Sequence, residues 1–227
     1  MNTQVTPDWR LALGDQRRDL TYLCPAEMQT CSCSCNGEEH TAVWRGHPLG
    51  GENFTVTVHW RETADGLRSG TLGYTGYTGS DLIESIQFPV LSEPQSAVSN
   101  IIVACRDMGY LRTPESLFAE SSPQEILYGG GMQFSGMMLQ DGTFQYVDHR
   151  DTQRMVKLAH WSQEDSRLIY RGVHLLPVSN NQPCREYQVP YQSSWGKFRG
   201  GWFDACQVYK QWASRQAWAV KPKQDNP

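Results

Sequence analysis

The residues best suited to chemistry fall in one short run, Tyr146-Val147-Asp148-His149-Arg150-Asp151. Glycosidic hydrolysis uses two carboxyls about 5 Å or about 6.5–9.5 Å apart across a sugar, and Asp148 and Asp151 are the natural pair. The run follows a strand-like segment, so it reads as a loop. One reading has Asp148, His149, Arg150 and Asp151 hydrogen-bonding a sugar. The other is a solvated turn in which Asp148 accepts backbone N–H groups.

Sugar recognition also needs aromatic faces. Trp44, Trp60, Tyr74, Tyr77, Trp161 and Trp195 are the ones to weigh. Trp60 alternates with Val56 and Val58 and belongs to a core. Tyr74, Tyr77 and Trp195 sit in Gly-rich or polar surroundings, so they are kept as glycan contacts against the alternative of packed rings. Of the seven cysteines, Cys31, Cys33 and Cys35 alternate with serines, while Cys24, Cys105, Cys184 and Cys206 are scattered. In an extended segment the three would share one side. A soft-metal site is one reading. The absence of a second Cys or His pair favours a loop of reduced, partly exposed thiols, so neither metal nor cofactor is expected. There is no Gly-x-Ser-x-Gly elbow, and the six histidines lack zincin spacing. Gly129-Gly130-Gly131 lacks a following Lys-Ser/Thr and reads as a flexible turn.

The elements that must hold these residues are mostly strands. Phe54, Val56, Val58 and Trp60 alternate with polar residues. Ser69–Tyr74 is a second strand, followed by a turn or bulge at Thr75–Gly79. Leu82–Phe88 is a third, stopping at Pro89, and Ile101–Cys105 reads as a strand buried on both faces. Gln133–Leu139 and Phe144–Val147 flank Asp141-Gly142, a hairpin signal. Further strands are expected at Met155–Trp161, Arg167–Leu176 and Glu186–Tyr191. Many short strands without alternating helices indicate a large antiparallel β-sandwich. At the end the period changes: Trp202, Ala205, Cys206, Tyr209, Trp212, Ala213 and Ala217 recur every three or four residues, one face of an amphipathic helix of about four turns. Trp202, Tyr209, Trp212 and Trp218 form its interface. The division expected is a sandwich over 1–200, a helix over 201–220 that packs on it or on a further domain, and a disordered tail over 221–227.

The chain of 227 residues is long enough for a sizeable core without disulfides. Its net charge of −4 and lack of a basic run argue against a nucleic-acid partner. No apolar stretch reaches the about 20 residues of a membrane helix. No apolar signal segment follows Met1, so the expected location is cytoplasmic, or secreted if a leader has been trimmed.

The helix also carries a resemblance. Gly201-Trp202-Phe203-Asp204-Ala205 through Tyr209-Lys210-Gln211-Trp212-Ala213 and Gln216-Ala217-Trp218 resembles the "G-x-W-x-x-A…Y-[KR]-x-W-A-x-x-Q-x-W" linker of glycoside-hydrolase-like proteins. These are related to endo-α-N-acetylgalactosaminidases and, more distantly, to α-galactosidases and α-glucosidases. Phe88-Pro89-Val90-Leu91 is similar to their "fPvl" strand and Met108–Leu111 to their "G-x-L" segment. Met132-Gln133-Phe134, Tyr146, Asp148 and Lys157 are similar to their "mQ…Y…D…K" stretch. The resemblance spans about residues 40–220. It implies a galactose-mutarotase-like β-supersandwich that precedes a (β/α)8 catalytic barrel, with carbohydrate as ligand and the barrel, as domain or subunit, as partner. The family's catalytic carboxylates lie on the barrel, and no barrel strand occurs before Pro227. The expectation is therefore a non-catalytic sandwich domain that supports a barrel and contacts glycan. A stand-alone carbohydrate-binding module and a structural protein oligomerising through the helix are the alternatives.

Overall fold

A computed structural model describes residues 6–14, 21–105, 108–119, 123–127, 132–153, 156–177, 182–217 and 219. Trp218, the glycine run 129–131 and the tail expected over 221–227 lie outside the described residues.

Two antiparallel sheets face each other. The smaller contains β1 (Asp8–Gly14), β2 (Thr21–Leu23), β7 (Leu82–Pro94), β10 (Gln124–Leu127), β13 (Lys157–Glu164) and β14 (Arg167–Leu175). Its order is β10-β13-β14-β7-β1-β2. The larger begins with β3 (Thr30–Asn36), β4 (Glu39–His47), β5 (Gly51–Glu62) and β6 (Arg68–Thr75). It continues with β8 (Val98–Cys105), β9 (Met108–Arg112), β11 (Phe134–Leu139) and β12 (Thr143–Arg150), and ends with β15 (Tyr187–Gln188) and β16 (Gln192–Arg199). Its order is β3-β4-β5-β6-β16-β12-β11-β8-β9, with β15 also pairing β6. The last strand, β16, thus lies between two sets of earlier strands and joins them. The chain is the β-sandwich that strand periodicity indicates.

The core between the sheets follows from alternation. Phe54, Val56, Val58 and Trp60 of β5 point inward and meet Trp9, Leu11 and Leu13 of β1 and Trp161 and Tyr170 of β13 and β14, all buried. A second apolar cluster lies on the other face of the large sheet. There Phe134, Phe144 and Tyr146 receive Ala205 and Tyr209 of α2 (Trp202–Ala213). A four-residue helix, α1 (Pro114–Leu117), is capped by the Thr113 hydroxyl.

Four expectations need correction. β7 does not stop at Pro89 but runs to Pro94. Both flanking strands shift register there, between Asp8 and Arg10 and between Arg171 and Val173, so the missing proline N–H interrupts no regular ladder. The strand expected over Glu186–Tyr191 is reduced to the two residues of β15. The helix ends at Ala213, short of the expected span 201–220, because beyond it the chain tightens into i→i−3 bonds from Arg215 to Trp212 and from Gln216 to Ala213. The thiol run is also not a loop: it is β3, an edge strand.

Candidate functional site

The tempting run Asp148–Asp151 is not a loop. Asp148, His149 and Arg150 belong to β12, and strand alternation sends neighbours to opposite faces. Asp148 lies on the α2 side with Tyr146. It accepts hydrogen bonds from the Tyr146 hydroxyl at 2.9 Å and the Ser194 N–H at 3.2 Å, and it pairs with Arg150 Nε at 3.4 Å. Burial raises its pKa, and the Arg150 charge and the two hydrogen bonds oppose that rise.

His149 lies between the sheets. Its Nδ1 meets Ser193 Oγ and its Nε2 meets the Tyr170 hydroxyl, each at 2.9 Å, so one ring spans from β12 and β16 to β14 of the facing sheet. Gly172 makes room for it, since a Cβ there would stand 2.6 Å from His149 Cε1 and 2.7 Å from the Phe88 carbonyl oxygen. Burial, with Lys157 and His174 nearby, drives the imidazole pKa well below its ordinary value, so the ring is neutral.

Asp151, just past β12, also turns into this interior. Its carboxylate takes the Lys157 ammonium at 2.8 Å, and both residues are 2% exposed. It accepts the Gln153 N–H at 2.8 Å as well, and its carbonyl accepts Gln133 Nε2 at 3.1 Å. Lys157 Nζ stands 5.0 Å from the Tyr191 ring centre. Directly across the strand pair from Lys157 is His174, which bonds the Tyr191 and Tyr187 hydroxyls at 2.9 Å each. Burial and the Lys157 charge push His174 down to about 4. Burial lowers the Lys157 pKa too, against the pull of Asp151.

Asp148 and Asp151 therefore serve different faces of the large sheet, each with its own cation, and do not flank a common substrate position. The motif residues Gln133, Tyr146, Asp148 and Lys157 all appear as buried hydrogen-bonding partners. His174, Tyr170, Tyr191 and Ser193 were not anticipated. The signal for two of them is in the sequence, since Tyr170 and His174 share the core-facing parity of Leu168 in β14.

The aromatic candidates are not surface platforms. Tyr74 and Tyr77 are buried, and their hydroxyls donate to the carbonyls of Cys184 and Asp81 at 3.3 and 3.0 Å. The segment around Arg185 covers them, with Arg185 donating to the carbonyls of Tyr77 and Gly79. Trp195 is 5% exposed and packs its ring edge-on to Phe88 at 5.1 Å. It still borders a groove of about 560 Å³ at the open side of the sandwich, where Arg68, Gln145, Glu93 and Lys197 also lie. Lys197 and Glu93 are paired there at 2.6 Å.

On α2, Tyr209 is buried and its hydroxyl accepts the Gln133 N–H at 3.2 Å, while Trp212 is half-buried against it. Trp202 is 46% exposed and Phe203 59%, so the interface expected of Trp202 is not made within the described residues. With Tyr110 and Leu111 of β9, also about half exposed, they give this end of the molecule an apolar surface.

No family model and no curated protein matches the sequence. Solved structures do match the fold. An α-N-acetylgalactosaminidase of Bifidobacterium bifidum superposes with a TM-score of 0.59 at 11% identity, over 91% of this chain and 33% of that one. GH36 α-galactosidases AgaA and AgaB of Geobacillus stearothermophilus each give 0.54 at 10% identity, over 93% and 94% of this chain. The chain has the fold of part of these glycosidases. This glycosidase-type sandwich spans about a third of the length of the chains it matches.

Proposed function

We propose that the chain is the non-catalytic sandwich domain of a glycoside-hydrolase-like, carbohydrate-active protein, and that it supports a (β/α)8 barrel. One observation carries this reading: the groups of catalytic type are consumed in buried hydrogen bonds and ion pairs, while large apolar side chains stand exposed where α2 begins. The Trp202, Phe203, Tyr110 and Leu111 surface is the proposed seat of the barrel. The experiment is an assay of the chain alone on p-nitrophenyl α-galactoside and α-N-acetylgalactosaminide. No turnover is expected, and turnover abolished by Asp148→Asn or Asp151→Asn would overturn the proposal.

The groove beside Trp195 favours a second reading, direct glycan contact. Gln145 offers a planar amide there, and Arg68 and the Lys197–Glu93 pair offer charged donors and acceptors around an indole edge. Calorimetry with galactose and N-acetylgalactosamine tests it. Binding in the millimolar-to-micromolar range that Arg68→Ala and Lys197→Ala weaken supports glycan contact, and no heat with either sugar rejects it.

A further inference from the structure

The thiols of β3 serve neither the core nor the proposed function. All seven residues of β3 are exposed, and the strand ends the order of the large sheet. Cys31, Cys33 and Cys35 stand opposite Trp44, Ala42 and His40 of β4. They therefore share the sheet face that meets the small sheet further in, but at β3 that face is uncovered. Alternate positions on a strand are about 6.6 Å apart, and the ends of the row are about 13 Å apart. With thiolate–metal bonds of about 2.3 Å, one ion can join neighbours in the row but not its two ends. Among the described residues no three Cys, His, Asp or Glu are grouped to hold a metal, which removes the tetrahedral sites that zinc requires. Two thiolates held roughly 4.6 Å apart by such bonds suit a soft ion that accepts two ligands in line, and thiolates select copper(I).

The choice of pair follows from the third thiol. Cys35 donates to the Gly37 carbonyl at 3.1 Å and is turned toward the β3–β4 turn. Cys31 and Cys33 lie side by side; partial burial, then the neighbouring Cys33 thiol, raises the Cys31 pKa. We propose that Cys31 and Cys33 form a two-coordinate site for a thiophilic monovalent cation of the copper(I) type. On binding, both thiols release their protons to solvent and two sulfur–metal bonds form. No electron is transferred, and the bis-thiolate complex carries one negative charge.

The test is anaerobic titration of the reduced chain into the copper(I)–bicinchoninate complex, with size-exclusion chromatography of the product. One copper(I) per monomer should be withdrawn. Cys31→Ser and Cys33→Ser should each weaken that withdrawal at least tenfold, although the other cysteines remain as internal controls, and Cys35→Ser should leave it intact. The three side chains are exposed, so these variants keep the fold. Failure of the native chain to withdraw copper, equal loss in Cys35→Ser, or a copper-linked dimer would overturn the proposal.

Discussion

Replacing Asp151 with Asn leaves the Lys157 ammonium between the sheets without its carboxylate. The two groups meet at 2.8 Å and are each 2% exposed, so water cannot take over. Breaking a buried pair from one side costs about 3–5 kcal/mol, a large part of a typical stability of about 5–15 kcal/mol. Urea slopes run at about 1–3 kcal/mol per molar and grow with chain size. At the upper end of that range the midpoint should fall by roughly 1–1.7 M. Lys157→Met alone should cost a similar amount. The double variant Asp151→Asn/Lys157→Met should recover most of the loss, because it buries no charge. The pH dependence is a separate check. Burial already lowers the Lys157 pKa and Asp151 opposes this, so in Asp151→Asn the lysine loses its proton at a less alkaline pH. The deficit of that variant should therefore shrink as pH rises. Urea titrations of the four proteins at two pH values decide the matter. A loss below about 1 kcal/mol in Asp151→Asn, or simple addition in the double variant, would refute the reasoning.

The buried histidines predict acid sensitivity. The His174 pKa falls from 6.5 to about 4 on folding, so its contribution is complete above 6.5 and drains away as pH drops toward 4, by about 3 kcal/mol at most. Urea midpoints at pH 7 and pH 5 should show the decline, and His174→Gln should flatten it. Gly172→Ala should destabilise by about 1–3 kcal/mol, since its new methyl would collide with His149 and the Phe88 carbonyl, and a melting curve measures this. Trp202→Ser with Phe203→Ser should leave the melting point nearly unchanged while reducing binding of a hydrophobic dye; a drop of many degrees would mean that these side chains support the fold.

Much of the fold was legible because one-sided burial writes itself as alternation, as in Phe54–Trp60, and as a three-to-four spacing, as in Trp202–Ala213. Pro89 misled because it sits in a bulge of β7, where the three steps from Gln87 to Val90 face only two in β1 and in β14, and that mismatch shows only in the pairing with strands far away in sequence. The Asp148–Asp151 run looked like a polar loop because polar residues are ordinarily solvated. Its partners, Ser194, Lys157, Ser193 and Tyr170, come from other strands, and only tertiary pairing makes the burial of Asp148, His149 and Asp151 possible. Tyr74 and Tyr77 show the converse: their glycine neighbours suggested exposure, but the Arg185 segment, more than a hundred positions later, covers them.

The place of β16 has a consequence for biosynthesis. β16 pairs with β6 through Ser193–Trp195 and with β12 along its whole length. Until residue 199 has left the ribosome, the strand that links the two parts of the large sheet is missing, so the borders of β6 and β12 that β16 covers have no partner there while nearly all of the domain is made. Completion then resembles the closing of a zip by its final tooth row, so truncation a few residues before β16 removes the junction of the architecture and not merely its rim.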